Sequence, residues 1–296
     1  MRLRCGVFAI LILGSMVAAN TETLKGGPML DCSGLPCVDV VTSGGKHLRM
    51  LIDTGNVNST LDVAVATAMG LELTPVNGGD GKPAGYQRSV LTDVKLGDAS
   101  LGDVKVLVLD LASFVKKDQM PPADGSLSYT AFKNRLLQLD YKKQTVLLSQ
   151  PLTQNVPCPG FCGDITTPTF GKHGPPIVVA TGFKVNGQPL AVQLDTMFSG
   201  TMLVYPPAVE KLGLARESES QKKQFFKYTD GGVNMMESEA ATESFGSKVL
   251  ARKVPVFFAT AEVHQPDAMF DGTVGHGLFK GRVLTLDFHS NHAWLL

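Results

Sequence analysis

Two short segments of this chain could do acid–base chemistry together. Leu51-Ile52-Asp53-Thr54-Gly55, followed by Ser59 and Leu61, is matched 142 residues later by Gln193-Leu194-Asp195-Thr196-Met197, followed by Thr201 and Leu203. Each aspartate ends an apolar run and opens a loop of small and polar residues. Two carboxylates held close together cannot both ionise cheaply, so such a pair shares one proton over a range of pH. The ionised member can take a proton from a water molecule between them. The protonated member can donate to a carbonyl, so one residue type supplies both general base and general acid. A threonine in each loop can hydrogen-bond to the other loop and hold the carboxylates coplanar. A small residue after it lets the loops approach.

The segments before each aspartate read as hairpins. Val38 to Val41, Gly44-Gly45, then Leu48, Met50 and Ile52 lead to Asp53. Phe183 and Val185, Asn186-Gly187, then Leu190, Val192 and Leu194 lead to Asp195. Asn-Gly between alternating apolar runs is a strong hairpin signal. A helix-like segment follows each loop, Val63 to Leu71 and Ala208 to Leu214, with Gly70 and Gly213 as stop signals. Hairpin-like stretches follow, Val90 to Leu109 and Phe245 to Phe258. The Gly-rich stretch Asn77 to Gly85 lies where a mobile cover could sit.

Residues 124–141 and 271–288 align at an offset of 147 with eight of eighteen positions identical, among them Asp124/Asp271, Gly125/Gly272, Arg135/Arg282 and Asp140/Asp287. Unrelated segments would share roughly one or two. One unit is therefore written twice. The expected division is a lobe over 36–150, a Pro/Gly-rich linker over 151–172 and a second lobe over 173–296, after an N-terminal segment over 20–35. Asp140 and Asp287 end Leu-x-Leu-Asp-aromatic strands and read as strand-end residues rather than acids.

The chain has 296 residues, 44% hydrophobic and 18% charged, enough to bury a sizeable core. Its formal net charge is zero with no Lys/Arg run, which argues against nucleic acid as partner. Residues 1–19 read as a secretory signal: Arg2 and Arg4, a short apolar core from Val7 to Val17, and Val17-Ala18-Ala19 at the cleavage site. That core is too short for a comfortable membrane span, so no stable span is expected after cleavage. The product would be exported, periplasmic or secreted. Cys32, Cys37, Cys158 and Cys162 remain after cleavage, an even count that suggests disulfides in an exported chain. Local pairing, Cys32 with Cys37 and Cys158 with Cys162, is the simplest of three pairings. The spacings are not the tight Cys-x2-Cys of many zinc ribbons.

No His-Glu-x-x-His is present, and the histidines read as surface or core residues. Gly275, Gly277 and Gly281 lack nucleotide-loop spacing and a βαβ setting. No Gly-x-Ser-x-Gly elbow marks a serine hydrolase of the α/β type. Phe225-Phe226 and Met235-Met236 read as core or lining.

Leu51 to Gly55 with Ser59 resembles the active-site loop of aspartic peptidases, and the closer likeness is to the retropepsin-like group found in bacteria, in a duplicated two-lobe form. The likeness covers roughly residues 36–150 and 173–296. It implies an all-β, bilobal acid-protease fold, two β-barrel-like lobes with a cleft between them. It further implies Asp53 and Asp195 as the catalytic dyad, Thr54 and Thr196 as the supporting pair with Gly55 and Met197 beside them, and no metal or organic cofactor. Met197 stands where the family has Gly, and Ser128 stands where the family's hydrophobic-hydrophobic-Gly segment has Gly; Val274-Gly275 keeps it. The Met197 thioether would crowd the dyad or line the cleft. A strained backbone there would cost a non-glycine residue on the order of 1–2 kcal/mol. Tyr86 is the flap candidate of the first half, with Tyr228 as its weaker counterpart.

The expected activity is that of an exported aspartic endopeptidase, acting on a peptide or protein substrate. The alternatives are an impaired protein of the same fold that binds a peptide or partner in the cleft, or one that processes only itself. Duplication supplies both aspartates in one chain, so a monomer is expected.

Overall fold

The computed structural model describes residues 24–78, 81–113, 122–155, 162–169, 176–213, 223–228, 231–259 and 270–296. The expected signal segment and Cys158 lie outside these residues. The described chain is mostly β and forms two lobes of one plan.

In each lobe a hairpin delivers the aspartate. Leu35–Val41 pairs antiparallel with His47–Asp53, and Val179–Val185 with Gln188–Asp195. Val40, Leu48, Met50 and Ile52 are buried, as are Phe183, Leu190, Val192 and Leu194. The second turn needs two residues in the left-handed region, and Asn186 (φ 49°) and Gly187 (φ 79°) supply them.

Each aspartate strand then lies parallel to a later strand. His47–Asp53 pairs with Gly125–Ser128, setting Asp53 beside Ser128; Gln188–Asp195 pairs with Gly272–Gly275, setting Asp195 beside Gly275. These late strands also run antiparallel to Ser59–Asp62 and Met202–Val204, so each passes between the two arms of an Asp-Thr loop. This threading accounts for the repeated Asp-Gly. A Cβ on Gly125 would stand 2.1 Å from the Thr60 carbonyl oxygen, and one on Gly272 would stand 2.2 Å from that of Leu203. Asp124 Oδ2 accepts the Arg49 N–H at 2.8 Å, and Asp271 Oδ2 accepts the Ala191 N–H at 2.8 Å. The glycine makes room and the aspartate ties the strand down.

Both helix-like segments contain a short helix, the second starting two residues before Ala208. Val63–Ala68 is capped by Asp62, whose Oδ1 accepts the Ala64 N–H at 2.8 Å, and Gly70 (φ 66°) follows it. Pro206–Lys211 begins on proline and is followed by Gly213 (φ 62°). Next comes a long hairpin arm in each lobe. In the first, Thr74–Asn77 pairs with Pro83–Leu96, which pairs with Ala99–Leu109, and Gly78 N–H donates to the Lys82 carbonyl between the first two strands. In the second, Lys223–Tyr228 pairs with Gly231–Phe245, which pairs with Lys248–Ala259. The hairpin expected from Phe245 onward therefore has a 15-residue first strand that reaches back to Gly231.

The lobes join through Leu136–Asp140 and Val283–Asp287, antiparallel, with Leu136 opposite Asp287 and Gln138 opposite Thr285. Gln138 and Thr285 are counterparts in the repeat, so the duplicated strand pairs with its own copy. Thr145–Leu148 and Lys25–Pro28 extend this sheet on one side, His292–Leu295 and Gly163–Thr166 on the other. Asp140 Oδ1 accepts the N–H groups of Lys142 and Lys143, and Asp287 Oδ1 those of His289 and Ser290. Both aspartates cap turns, as their strand-end positions suggest. Phe132 and Phe279, another repeat pair, are fully buried in one core running through both lobes. Burying such a side chain contributes about 1.5–3 kcal/mol.

Cys32 and Cys37 form the expected disulfide, with Cα atoms 6.0 Å apart, closing the hairpin of Leu30–Cys32 and Leu35–Val41. Cys162 is also disulfide-bonded, and the pairing expected for it falls on Cys158, outside the described residues. Among the described residues no helix is long and apolar enough to cross a membrane.

Candidate active site

The two Asp-Thr loops meet between the lobes, and the threonines tie them together. Thr54 N–H donates to Thr196 Oγ1 at 3.1 Å, and Thr196 N–H to Thr54 Oγ1 at 3.2 Å. Thr54 Oγ1 donates to the Leu194 carbonyl at 2.8 Å, and Thr196 Oγ1 to the Ile52 carbonyl at 2.5 Å. Both threonines are fully buried, so these reciprocal bonds are made where water cannot replace them.

The aspartates stand one residue before this tie. Asp53 is buried and its Oδ1 accepts the Gly55 N–H at 3.1 Å. Asp195 is half-buried, and its Oδ1 accepts the N–H groups of Met197 at 2.8 Å and Phe198 at 3.2 Å. The Gly55 Cα sits under the Asp195 carboxylate: a Cβ there would be 2.4 Å from Asp195 Cγ and 2.7 Å from each carboxylate oxygen. Gly55 does not occupy the left-handed region, so close approach is what requires glycine here.

Burial disfavours a charge on either carboxyl. It pushes Asp53 up, the neighbouring Asp195 charge pushes it further, to about 8, and hydrogen bonds from Gly55 and Asn56 act against the rise. Burial also raises Asp195, opposed by the N–H groups of Met197 and Phe198. Two carboxyls raised in this way hold a shared proton at neutral pH.

The residues after the threonines differ between lobes, and so do their partners. Met197 packs against a small apolar cluster of Leu51, Cys32 and Cys37, with Leu30, Leu35 and Ala123 at its edge. Its backbone is not in the left-handed region. The thioether therefore has an apolar seat built from the other lobe and the disulfide, and the strain considered from sequence is not present. The matching position to Leu51 is Gln193, whose Nε2 donates to the Gly55 carbonyl at 3.0 Å. Thr273 Oγ1 donates to Gln193 Oε1 at 3.1 Å, and the Tyr205 hydroxyl lies 3.4 Å from Thr273 Oγ1. Burial and the charge of Asp195 raise the Tyr205 hydroxyl. None of these three residues stands out in sequence. The signal that could have found them is one polar residue, Gln193, at a repeat position that is leucine in the other half.

Ser128 takes the place of the first-lobe glycine without crowding. Its Oγ donates to the Val57 carbonyl at 3.0 Å, and its N–H donates to Ser59 Oγ at 3.0 Å. At Gly275, a Cβ would stand 2.1 Å from the Phe198 carbonyl oxygen, so there the glycine is required. Tyr86 lies on the first-lobe arm and is 37% exposed; the side chain of Tyr228 lies outside the description. A groove of about 680 Å³ on the first lobe takes in Asn58, Arg88 and Lys105 but neither aspartate.

Residues 38–131 match the family model for aspartyl proteases. Solved structures similar to the chain include one titled EDGP (9% identity, TM-score 0.48, covering 90% of this chain and 93% of that one). Another is basic 7S globulin from soybean (10% identity, TM-score 0.42, covering 92% of each chain). Curated proteins give no sequence match. The matched residues contain the first Asp-Thr loop, and the second lobe repeats its plan strand for strand; over residues 38–131 the chain is similar to aspartyl proteases.

Proposed function

We propose that the protein is an exported aspartic endopeptidase that hydrolyses peptide bonds with Asp53 and Asp195. The observation that carries this reading is the reciprocal Thr54–Thr196 tie beneath two carboxyls, Asp53 buried and Asp195 half-buried, with raised proton affinity. Asp195, whose charge raises Asp53, is the ionised member in this reading. It takes a proton from a water held between the carboxyls. Asp53, kept protonated by burial and by that charge, donates to the carbonyl oxygen of the scissile bond. The water oxygen adds to the carbonyl carbon, and the resulting tetrahedral species collapses as the amine leaves with a proton. The peptide would lie in a cleft between the lobes, under the first-lobe arm that carries Tyr86. The Cys32–Cys37 disulfide fits an oxidising compartment and supports the export reading.

The test is a paired digestion. Mature wild type and Asp53→Asn are incubated with a diverse peptide mixture across pH, and the products are read by mass spectrometry. Loss of one acid–base group predicts a fall of about 10²- to 10⁴-fold. Full activity in Asp53→Asn overturns the assignment. No cleavage by folded wild type would move the function to peptide binding without turnover.

A further inference from the structure

We infer that Gln193 is a positioning residue for the carboxylate pair: from the second lobe it holds the carbonyl of Gly55, and with it the Gly55–Asn56 peptide. The N–H of that peptide favours the ionised Asp53. The inference rests on the dyad reading above and adds to it a residue outside the Asp-Thr loops.

Gly55 does two jobs at once. Its N–H donates to Asp53 Oδ1, and its bare Cα is the surface against which the Asp195 carboxylate packs. A residue with both duties must be fixed in orientation on both sides of its Cα, and glycine fixes itself least of all residues. Gln193 Nε2 supplies the missing constraint at 3.0 Å. The glutamine amide is itself oriented, since Thr273 Oγ1 donates to its Oε1 at 3.1 Å. Thr273 belongs to the strand that threads the second loop, so the chain Thr273–Gln193–Gly55 links the second lobe's framework to the first lobe's active loop.

The repeat shows that this link is particular to one side. At the matching position Leu51 can make no such bond and instead helps seat Met197. Loop 197 is fixed by side-chain packing, whereas loop 55, which must stay bare under Asp195, is fixed by a hydrogen bond to its carbonyl. Met197 and Gln193 are thus paired departures: each supplies the restraint that its loop lacks.

The test follows dyad protonation directly and needs no turnover. Carboxyl resonances of Asp53 and Asp195 and the Gly55 amide resonance are followed by NMR against pH in wild type, Gln193→Leu and Thr273→Val. Gln193→Leu restores the residue type of the matching position. Freeing the Gly55–Asn56 peptide loosens the backbone N–H bonds of Asn56 and Gly55 that favour the ionised Asp53, so the upper titration of the pair should rise by roughly half to one pH unit. The Gly55 amide should move with it. Thr273→Val, which keeps the volume and only loses the hydroxyl, should shift both in the same direction by less. An unchanged Gly55 amide and unchanged titration in folded Gln193→Leu would overturn the inference. If Gln193→Leu does not fold, Thr273→Val decides, and no shift there overturns it. A wild type that cleaves nothing would sink the peptidase reading and leave these shifts measurable.

Discussion

The Asp195 carboxylate rests on the bare Cα of Gly55, a residue of the opposite lobe. That contact makes Gly55→Ala the most local perturbation of the dyad. The added methyl would stand 2.4 Å from Asp195 Cγ, and the neighbouring atoms are a carboxylate already bonded to two N–H groups. Turnover should fall by 100-fold or more, since misplacing a reacting group by about 1 Å costs that much. Thermal unfolding should show the variant still folded. Activity within a few-fold of wild type would mean that Asp195 can move aside freely.

The pH profile should reach further toward neutral than free carboxylates would allow. The active form holds one proton, and Asp53, held up to about 8 by burial and by the Asp195 charge, keeps it through the neutral range. Activity should decline as pH rises through about 8, where the second carboxyl ionises. A rate profile on a fixed peptide checks this. An alkaline limb near the ordinary carboxylate range would show the dyad to be better solvated than its burial implies.

On the peptidase reading, placing glycine at Met197 should not raise turnover. The side chain packs on Leu51 and the Cys32–Cys37 disulfide, and its backbone gains nothing from glycine's extra freedom. Met197→Gly should lose about 1–3 kcal/mol in denaturant unfolding, from the lost contacts and the looser unfolded chain. Turnover that rises tenfold or more would show instead that the thioether obstructs the dyad.

Glu243 predicts a second pH dependence, of stability. It is buried in the second lobe, neither carboxyl oxygen has a hydrogen-bond partner, and burial raises it to about 8 against the pull of Arg282. The first lobe has buried Val94 at the corresponding place, two residues before the pairing of Leu96 with Val40. Because the folded pKa lies above the unfolded one, the folded state binds the extra proton between the ordinary glutamate range and about 8. Stability should therefore fall as pH rises across that window. The dyad contributes in the same direction. Glu243→Gln should flatten the slope in unfolding experiments at several pH values, and an unchanged slope would remove Glu243 as its source.

The dyad and the duplicated framework are legible in the sequence because they depend on local signals repeated at a fixed offset. Asp-Thr occurs twice, Asp-Gly occurs twice, and the turns at Gly44-Gly45 and Asn186-Gly187 are written in their residue types. What Met197 touches is not legible. Its seat is assembled from Leu30, Cys32, Leu35, Cys37, Leu51 and Ala123, brought together by tertiary packing. The same holds for Gln193, whose partner Gly55 is 138 residues away. Both arms begin ahead of their apolar pattern, at Pro83 where Val90 is expected and at Gly231 where Phe245 is expected, because strand pairing there does not depend on alternating apolar residues. The second helix begins at Pro206, ahead of its apolar residues, because proline suits a helix's first turn.

The junction between the lobes carries a consequence for ancestry. Gln138 faces Thr285, Leu136 faces Asp287, and Asp140 faces Val283, so the pairing is the same read from either half. An interface in which a patch meets its own equivalent is isologous, the form that closes a two-subunit assembly by rotation. Here both copies lie in one polypeptide. Tandem fusion of a self-pairing subunit leaves such a seam, and it also frees each copy to diverge, which is how one loop could take methionine and the other keep glycine.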